Sequence, residues 1–188
     1  MRKLSHDEIS INRSTLDKIP TVKKLPVTVL LNSIRSSYNV GSIFRTSDGA
    51  MIEKLILCGY TPHPPIDDEN KGNKDVLKTA LGSTKSVKWE YIKNPIDTIK
   101  DLKANGIKIC ALELTENSKS YSDSNLYEFP LCLVVGNEIT GISQEVLDLC
   151  DYSIEIPQYG IKQSLNVAVA YGIAIFELRK IFDKITIV

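Results

Sequence analysis

Blocks of apolar residues recur along this 188-residue chain, and their periods alternate between two and roughly three to four. The run "VTVLLN", after Pro26, has the apolar, β-branched character of a buried strand. "NVGSIFRTSDGA" repeats at helical spacing, with Val40, Ile43, Phe44 and Met51 placed on one face. "KLILCG" is again a strand, "VLKTALG" a short helix and "SVKWEYI" an alternating strand. "PIDTIKDLKANG" opens on Pro and closes on Gly, the asymmetry of a helix. "KICALEL" and "PLCLVVG" are strands, "SQEVLDLC" a helix and "YSIEIP" a final strand. Two polar stretches, "TPHPPIDDENKGNKD" and "TENSKSYSDSNLYEF", are loops. About six strands alternating with helices predict an α/β fold, with a mainly parallel sheet covered by helices on both faces.

The chain closes on "KQSLNVAVAYGIAIFELRK", almost wholly apolar or small from Leu165 to Phe176. That predicts a helix buried on most of its circumference. Ser164 and Asn166 stand at its entrance. Ser164 fits a plain N-cap, whereas Asn166, in the first turn, is less well explained by capping. At the other end, residues 1–26 are polar and basic-leaning, with Arg2, Lys3, Arg13, Lys18, Lys23 and Lys24, and Pro20 and Pro26 punctuate their end. They predict a short arm or helix and a connector, ahead of one domain over residues 27–188.

Composition narrows the classes. Formal net charge is +0 with 24% charged residues, ordinary for a globular protein, so a strongly basic nucleic-acid binder is not indicated beyond a local patch. No run reaches the ~18 apolar residues of a membrane span. The first residues lack a signal-peptide core, and a cytoplasmic location is expected. Cys58, Cys110, Cys132 and Cys150 form no CxxC pair and predict buried free thiols. With only His6 and His63 as imidazoles, no metal is expected. Fingerprints for a Rossmann site, a Walker A loop and a G-x-S-x-G elbow are all missing.

Three segments place polar residues after predicted strands, where ligands of open α/β sheets bind. In "NSIRSSYNVGSIFRTSDG", Asn39 looks like an N-cap and Arg45 lies off the Val40/Phe44 face. Its plain alternative is a solvated arginine paired with Asp48. In "LVVGNEITGIS", Glu138 follows a buried strand, and the alternative is a turn with Ser143 capping a helix. "IPQYGIKQSLNVAVA" joins strand, loop and helix N-terminus. Their order is Asn39…Arg45, Gly136-Asn137-Glu138…Gly141 and Ile156-Pro157…Ser164-Leu165-Asn166. That set resembles the three motifs of the SpoU/TrmH branch of the SPOUT RNA methyltransferases, over about residues 27 to 180.

The resemblance implies an α/β domain with a C-terminal trefoil knot, an exception to the usual unthreaded connections. It implies S-adenosylmethionine as cofactor, released as S-adenosylhomocysteine. Gly136, Ile156 and Leu165 would contact the cofactor, with Leu112 and Gly141 as wall residues. The implied reaction is methyl transfer to a ribose 2′-oxygen of tRNA or rRNA. Arg45 matches the catalytic arginine. Because guanidinium resists deprotonation, its expected role is to clamp a phosphate and the 2′-oxygen. Asn39 and Glu138 would orient Arg45 or the ribose, and Ser164 and Asn166 would bind phosphate or ribose. A homodimer through the last helix is implied, with the site completed across it. Many relatives carry a further N-terminal RNA-binding domain where this chain has the short arm. Lys71, Lys74, Lys78, Lys85 and Lys88 could track RNA phosphates, or form a solvated surface offset by Asp67, Asp68 and Glu69. Met51 stands where relatives often have Gly. The competing possibility is a non-catalytic RNA-binding or ribosome-assembly module that kept the fold.

Overall fold

The fold is described from a computed structural model, which covers residues 1–11, 13–67 and 71–186. Asp68 and Glu69, two of the acids set against the lysine-rich stretch, lie outside the described residues. Helix α1 (His6–Ile11) belongs to the N-terminal arm and buries no residue. Its entrance is a capping box: Glu8 N donates to Ser5 Oγ, and Ser5 N donates to Glu8 Oε2 at 2.7 Å.

Strand β1 (Leu25–Asn32) begins two residues before the boundary expected from Pro26, and Leu25 is fully buried. α2 (Ser37–Ala50), β2 (Ile52–Cys58), α3 (Lys74–Ala80), β3 (Trp89–Ile92), α4 (Pro95–Ala104) and β4 (Lys108–Leu112) follow. Next come β5 (Lys119–Ser120), β6 (Leu131–Val135), α5 (Gln144–Leu147), β7 (Tyr152–Glu155) and α6 (Val167–Thr186). Among the described residues the sheet has seven strands in the order β3-β2-β1-β6-β4-β7-β5, and every pairing between them is parallel. The strand that the sequence does not reveal is β5, two exposed residues inside a polar loop, with no apolar face to announce it.

Alternation along β1 shows why both faces need cover. Val27, Val29 and Leu31 enter one apolar cluster with Phe44 of α2, Val76 of α3 and Leu178 of α6. Leu30 enters the other, with Ile99 of α4 and Val146 of α5. The four cysteines are free thiols. Burial pushes all of them up, Cys58 to about 12 and Cys150 to about 11, so they stay protonated and serve as small apolar filler. No helix among the described residues is long and apolar enough to cross a membrane.

Three local expectations change. Met51 is not on the buried face of α2. It ends the helix in the left-handed conformation at φ 55°, a place where glycine is unstrained, and is half-buried. Ser143 precedes α5, but its side chain accepts no capping bond. Finally, α6 is not buried around most of its circumference. Tyr171, Ala174, Ile175, Leu178 and Ile181 face the core, whereas Val169 and Phe176 are about half exposed (52% and 50%). The helix also runs ten residues beyond Phe176 to Thr186, where Lys180, Asp183 and Lys184 break the apolar pattern that marked its first half.

Candidate functional site

Strands β1 and β6 are neighbours and parallel, so the segments leaving their carboxyl ends emerge side by side. After β1 the chain turns at Ser33 and enters α2 through Ser36, whose Oγ accepts from Asn39 N. Ser36 is therefore the N-cap and Asn39, expected there, is in the first turn with its amide free for other bonds. After β6 come Gly136, Asn137 and Glu138. A Cβ on Gly136 would stand 2.5 Å from the carbonyl carbon of Gly141, so no side chain fits. Asn137 and Gly141 exchange both backbone bonds, at 3.1 and 3.0 Å, and Gly141 takes φ 67° to close the loop. The Asn137 side chain fastens this loop to its neighbours. Its Nδ2 donates to Ser33 O at 2.8 Å and to Tyr60 Oη at 2.6 Å, and its Oδ1 accepts from Ile139 N and Thr140 N.

So held, Glu138 reaches across to α2. Its Oε2 accepts from Arg35 N at 2.8 Å, and its Oε1 from Ser36 N at 3.1 Å and Asn39 Nδ2 at 2.7 Å. Burial alone would raise this carboxyl. The N–H groups of Arg35 and Ser36 and the Asn39 amide, with the residue's own N–H, outweigh burial and hold it below the usual carboxylate range. Asn39 Oδ1 in turn accepts from Asn166 Nδ2 at 3.1 Å. Asn166 Oδ1 accepts from Ala168 N at 2.9 Å and Val169 N at 3.3 Å, so Asn166 is the cap of α6 and Ser164 is not. One chain of bonds thus links segments more than a hundred residues apart.

A cavity of about 580 Å³ opens beside this cluster, within the usual size of small-molecule sites. Leu112, Gly136, Gly141, Ile156 and Leu165 all line it, as does Ser164. Glu138 lines both this cavity and a smaller one of about 410 Å³, shared with Arg35, Ser36, Asn39 and Asn166. The structure therefore brings Asn39, Glu138 and Asn166 together and puts Ser164 on the larger cavity. Arg45 joins neither. It is exposed on α2 and has no hydrogen-bond or ion-pair partner among the described residues. Asp48, its expected partner, instead accepts from Ser86 Oγ.

Glu113 is a site residue that the sequence reasoning missed. Its Oε2 accepts from Ile142 N at 3.0 Å and its Oε1 from Leu114 N at 3.1 Å, and it lines the larger cavity. The available signal was a carboxylate just past the end of an apolar strand run.

The fold and its paired cavities define an α/β protein whose candidate site lies at the carboxyl ends of a parallel sheet, where ligands of such sheets bind. The chain belongs to the SpoU rRNA Methylase family, whose model matches residues 26–176. The tRNA (guanosine(18)-2′-O)-methyltransferase of Aquifex aeolicus (strain VF5) is 33% identical over 168 residues, which are 89% of this chain and 74% of that one. A protein of the same name from Escherichia coli (strain K12) is 30% identical over 154 residues, 82% of this chain and 63% of the other. The crystal structure of the SpoU methyltransferase AviRb from Streptomyces viridochromogenes, in complex with the cofactor AdoMet, superposes with a TM-score of 0.73 at 26% identity. That match covers 90% of this chain and 65% of AviRb.

Proposed function

We propose that this chain transfers the methyl group of S-adenosylmethionine to a ribose 2′-oxygen of tRNA or rRNA. The observation that carries this is the Glu138–Asn39–Asn166 cluster, drawn from three separate segments and standing at the rim of the larger cavity. Leu112, Gly136, Gly141, Ile156 and Leu165 would hold the cofactor there. The absence of a Cβ at Gly136 lets backbone groups come close, and the cavity is large enough for a nucleoside. When bound, the cofactor supplies an activated methyl group on a sulfonium.

The protein's own part is alignment of the acceptor and help with its proton. Glu138 is a poor base, because its oxygens are filled by three N–H donors and its proton affinity is low. It orients Asn39, and through it Asn166, towards the ribose. Ser164 binds the substrate from the cavity side. Arg45 clamps phosphate and the 2′-oxygen as an always-charged donor. In a single chain it lies outside both cavities, and a homodimer formed through α6 would complete the site. Supporting that, the exposed apolar side of α6 adjoins α2: a Cβ on Gly49 would lie 3.5 Å from the Phe176 ring. Residues 1–26 form an arm, residues 27–188 the methyltransferase domain with a C-terminal trefoil knot, and the setting is cytoplasmic. Lys71, Lys74, Lys78, Lys85 and Lys88 are all exposed, as a phosphate track requires.

Methyl-labelled S-adenosylmethionine, the purified chain and unmodified tRNA and rRNA transcripts test this by nucleoside mass spectrometry. Labelled 2′-O-methylnucleoside is the expected product, and Arg45→Ala abolishes it while calorimetry still records cofactor binding. A base-methylated product, or RNA binding without transfer, sinks the proposal. Full turnover by Arg45→Ala removes that residue's role.

A further inference from the structure

The smaller cavity presents a problem of charge. Its carboxylate, Glu138, is held ionised by the donors around it. The polar groups beside it are largely committed to one another. Asn39 Nδ2 donates to Glu138, Asn39 Oδ1 accepts from Asn166, and Asn166 Oδ1 caps α6. An RNA strand that places a ribose here brings a phosphate on each side of it. Facing only these groups, the phosphates would meet a negative wall with few donors to spare.

Among the described residues, Arg35 is the cation that lines this cavity. Two facts fix its place. Its backbone N–H is one of the three that bind Glu138, which pins the residue at the rim. Its guanidinium has no hydrogen-bond or ion-pair partner among the described residues, although a carboxylate lines the same cavity. The backbone is therefore committed inward while the charged end is left available. Arg45 shares the unpaired guanidinium but not the position, since it lines neither cavity and its backbone is ordinary helix.

We infer that the Arg35 guanidinium binds the phosphate next to the ribose that receives the methyl group, setting that ribose against the Asn39–Glu138–Asn166 cluster. This rests on the RNA methyl-transfer function proposed above. Arginine suits the task because its planar fork can give two parallel N–H bonds to one phosphate. It also neutralises a charge that Glu138 would repel. Arg35 is thus a substrate-binding residue distinct from Arg45.

The test uses the full chain and a pool of in-vitro tRNA transcripts, which carry no modifications. Binding is followed by fluorescence anisotropy across a series of KCl concentrations, and methyl transfer under single turnover. Arg35→Ala keeps the backbone N–H that binds Glu138, so cofactor affinity measured by calorimetry stays at the wild-type value. Its affinity for RNA drops by about tenfold or more, the scale of one charge-assisted contact. The slope of log K against log salt becomes shallower by about 0.7 to 0.9, as for loss of one phosphate contact. Arg35→Lys restores the slope, since the charge is back, but not the full single-turnover rate, since the fork is not. Arg35→Ala with wild-type affinity and slope overturns the anchor while leaving RNA methylation standing. A wild-type chain that neither binds these transcripts nor transfers a methyl group to them overturns the proposed function and the anchor together.

Discussion

Glu138 owes its charge to its neighbours, and acid should therefore find it. A carboxyl held below its ordinary value stabilises the fold above that value, about 4.5, and loses the contribution as pH falls through its lower folded-state value. Glu138→Gln cannot take up that proton. Urea midpoints measured over roughly pH 3 to 7 should thus be lower for the variant at neutral pH and converge on wild type in acid. Curves that stay parallel would show that the carboxylate is not held as described. At this scale the sequence was generous where a residue type is rare in its setting and silent where the decisive fact is a bond. Glu138 after an all-apolar strand stood out. Asn39 and Asn166 are each conspicuous as polar residues at helix entrances, but their mutual bond joins positions 127 apart, and nothing local foretells it. The capping roles went to Ser36 and Asn166 because Asn, Ser and neighbouring polar residues compete on near-equal terms for a helix entrance.

At the scale of elements, the loop from Gly136 to Gly141 is held tightly by its own backbone bridge and by Asn137. The position of Glu138 depends on it, and so does one wall of the larger cavity. Gly136→Ala forces a Cβ to within 2.5 Å of backbone that is itself tied by the Asn137–Gly141 bridge. Overpacking of this kind costs about 1–3 kcal/mol. For a domain of this size that lowers Tm by several degrees, ~2–4 °C per kcal/mol. Scanning fluorimetry should show the drop, and calorimetry should show loss of S-adenosylmethionine binding. A variant with wild-type Tm and affinity would mean the backbone can yield there. Six of the seven strands could be read from the pattern: the central ones as continuous apolar runs, because a buried parallel sheet writes itself in Val, Leu and Ile, and β3 at the edge as an alternating run, because it is only half-buried. Strand β5 could not, having two exposed residues and a single neighbour. For α6 the apolar run from Leu165 to Phe176 carries the helix but not its length, because the charged residues of its second half hide the continuation to Thr186.

For the molecule as a whole, the exposed side of α6 is an apolar surface that the single chain leaves uncovered. Val169 and Phe176 stand half in solvent on a helix whose opposite face is in the core. In the proposed homodimer this side is covered. Phe176→Asp should then shift the chain from dimer to monomer in sedimentation velocity and abolish methyl transfer. Its Tm should move little beyond the loss expected from dissociation, since this side chain is outside the core. A wild-type chain that sediments as a monomer at every concentration would sink the dimer. Sequence pattern alone could not separate a helix buried in its own core from one half covered by a partner, because both put apolar residues on two faces.

The place of β6 in the sheet has a consequence for the protein's birth. Strands β1 to β4 precede it in the chain, yet β6 lies between β1 and β4, at the centre of the order. A growing chain can pair β1 with β2 and β2 with β3 early, but the other edge of β1 stays open until residues 131–135 have been made. Contacts that distant are slow to form, and open apolar edges invite wrong partners meanwhile. Asn39 and Glu138 are strangers throughout that interval. Glu138 follows β6 directly and Asn166 comes later still, so the cluster they form with Asn39 can be assembled only after the strand that closes the middle of the sheet has been made.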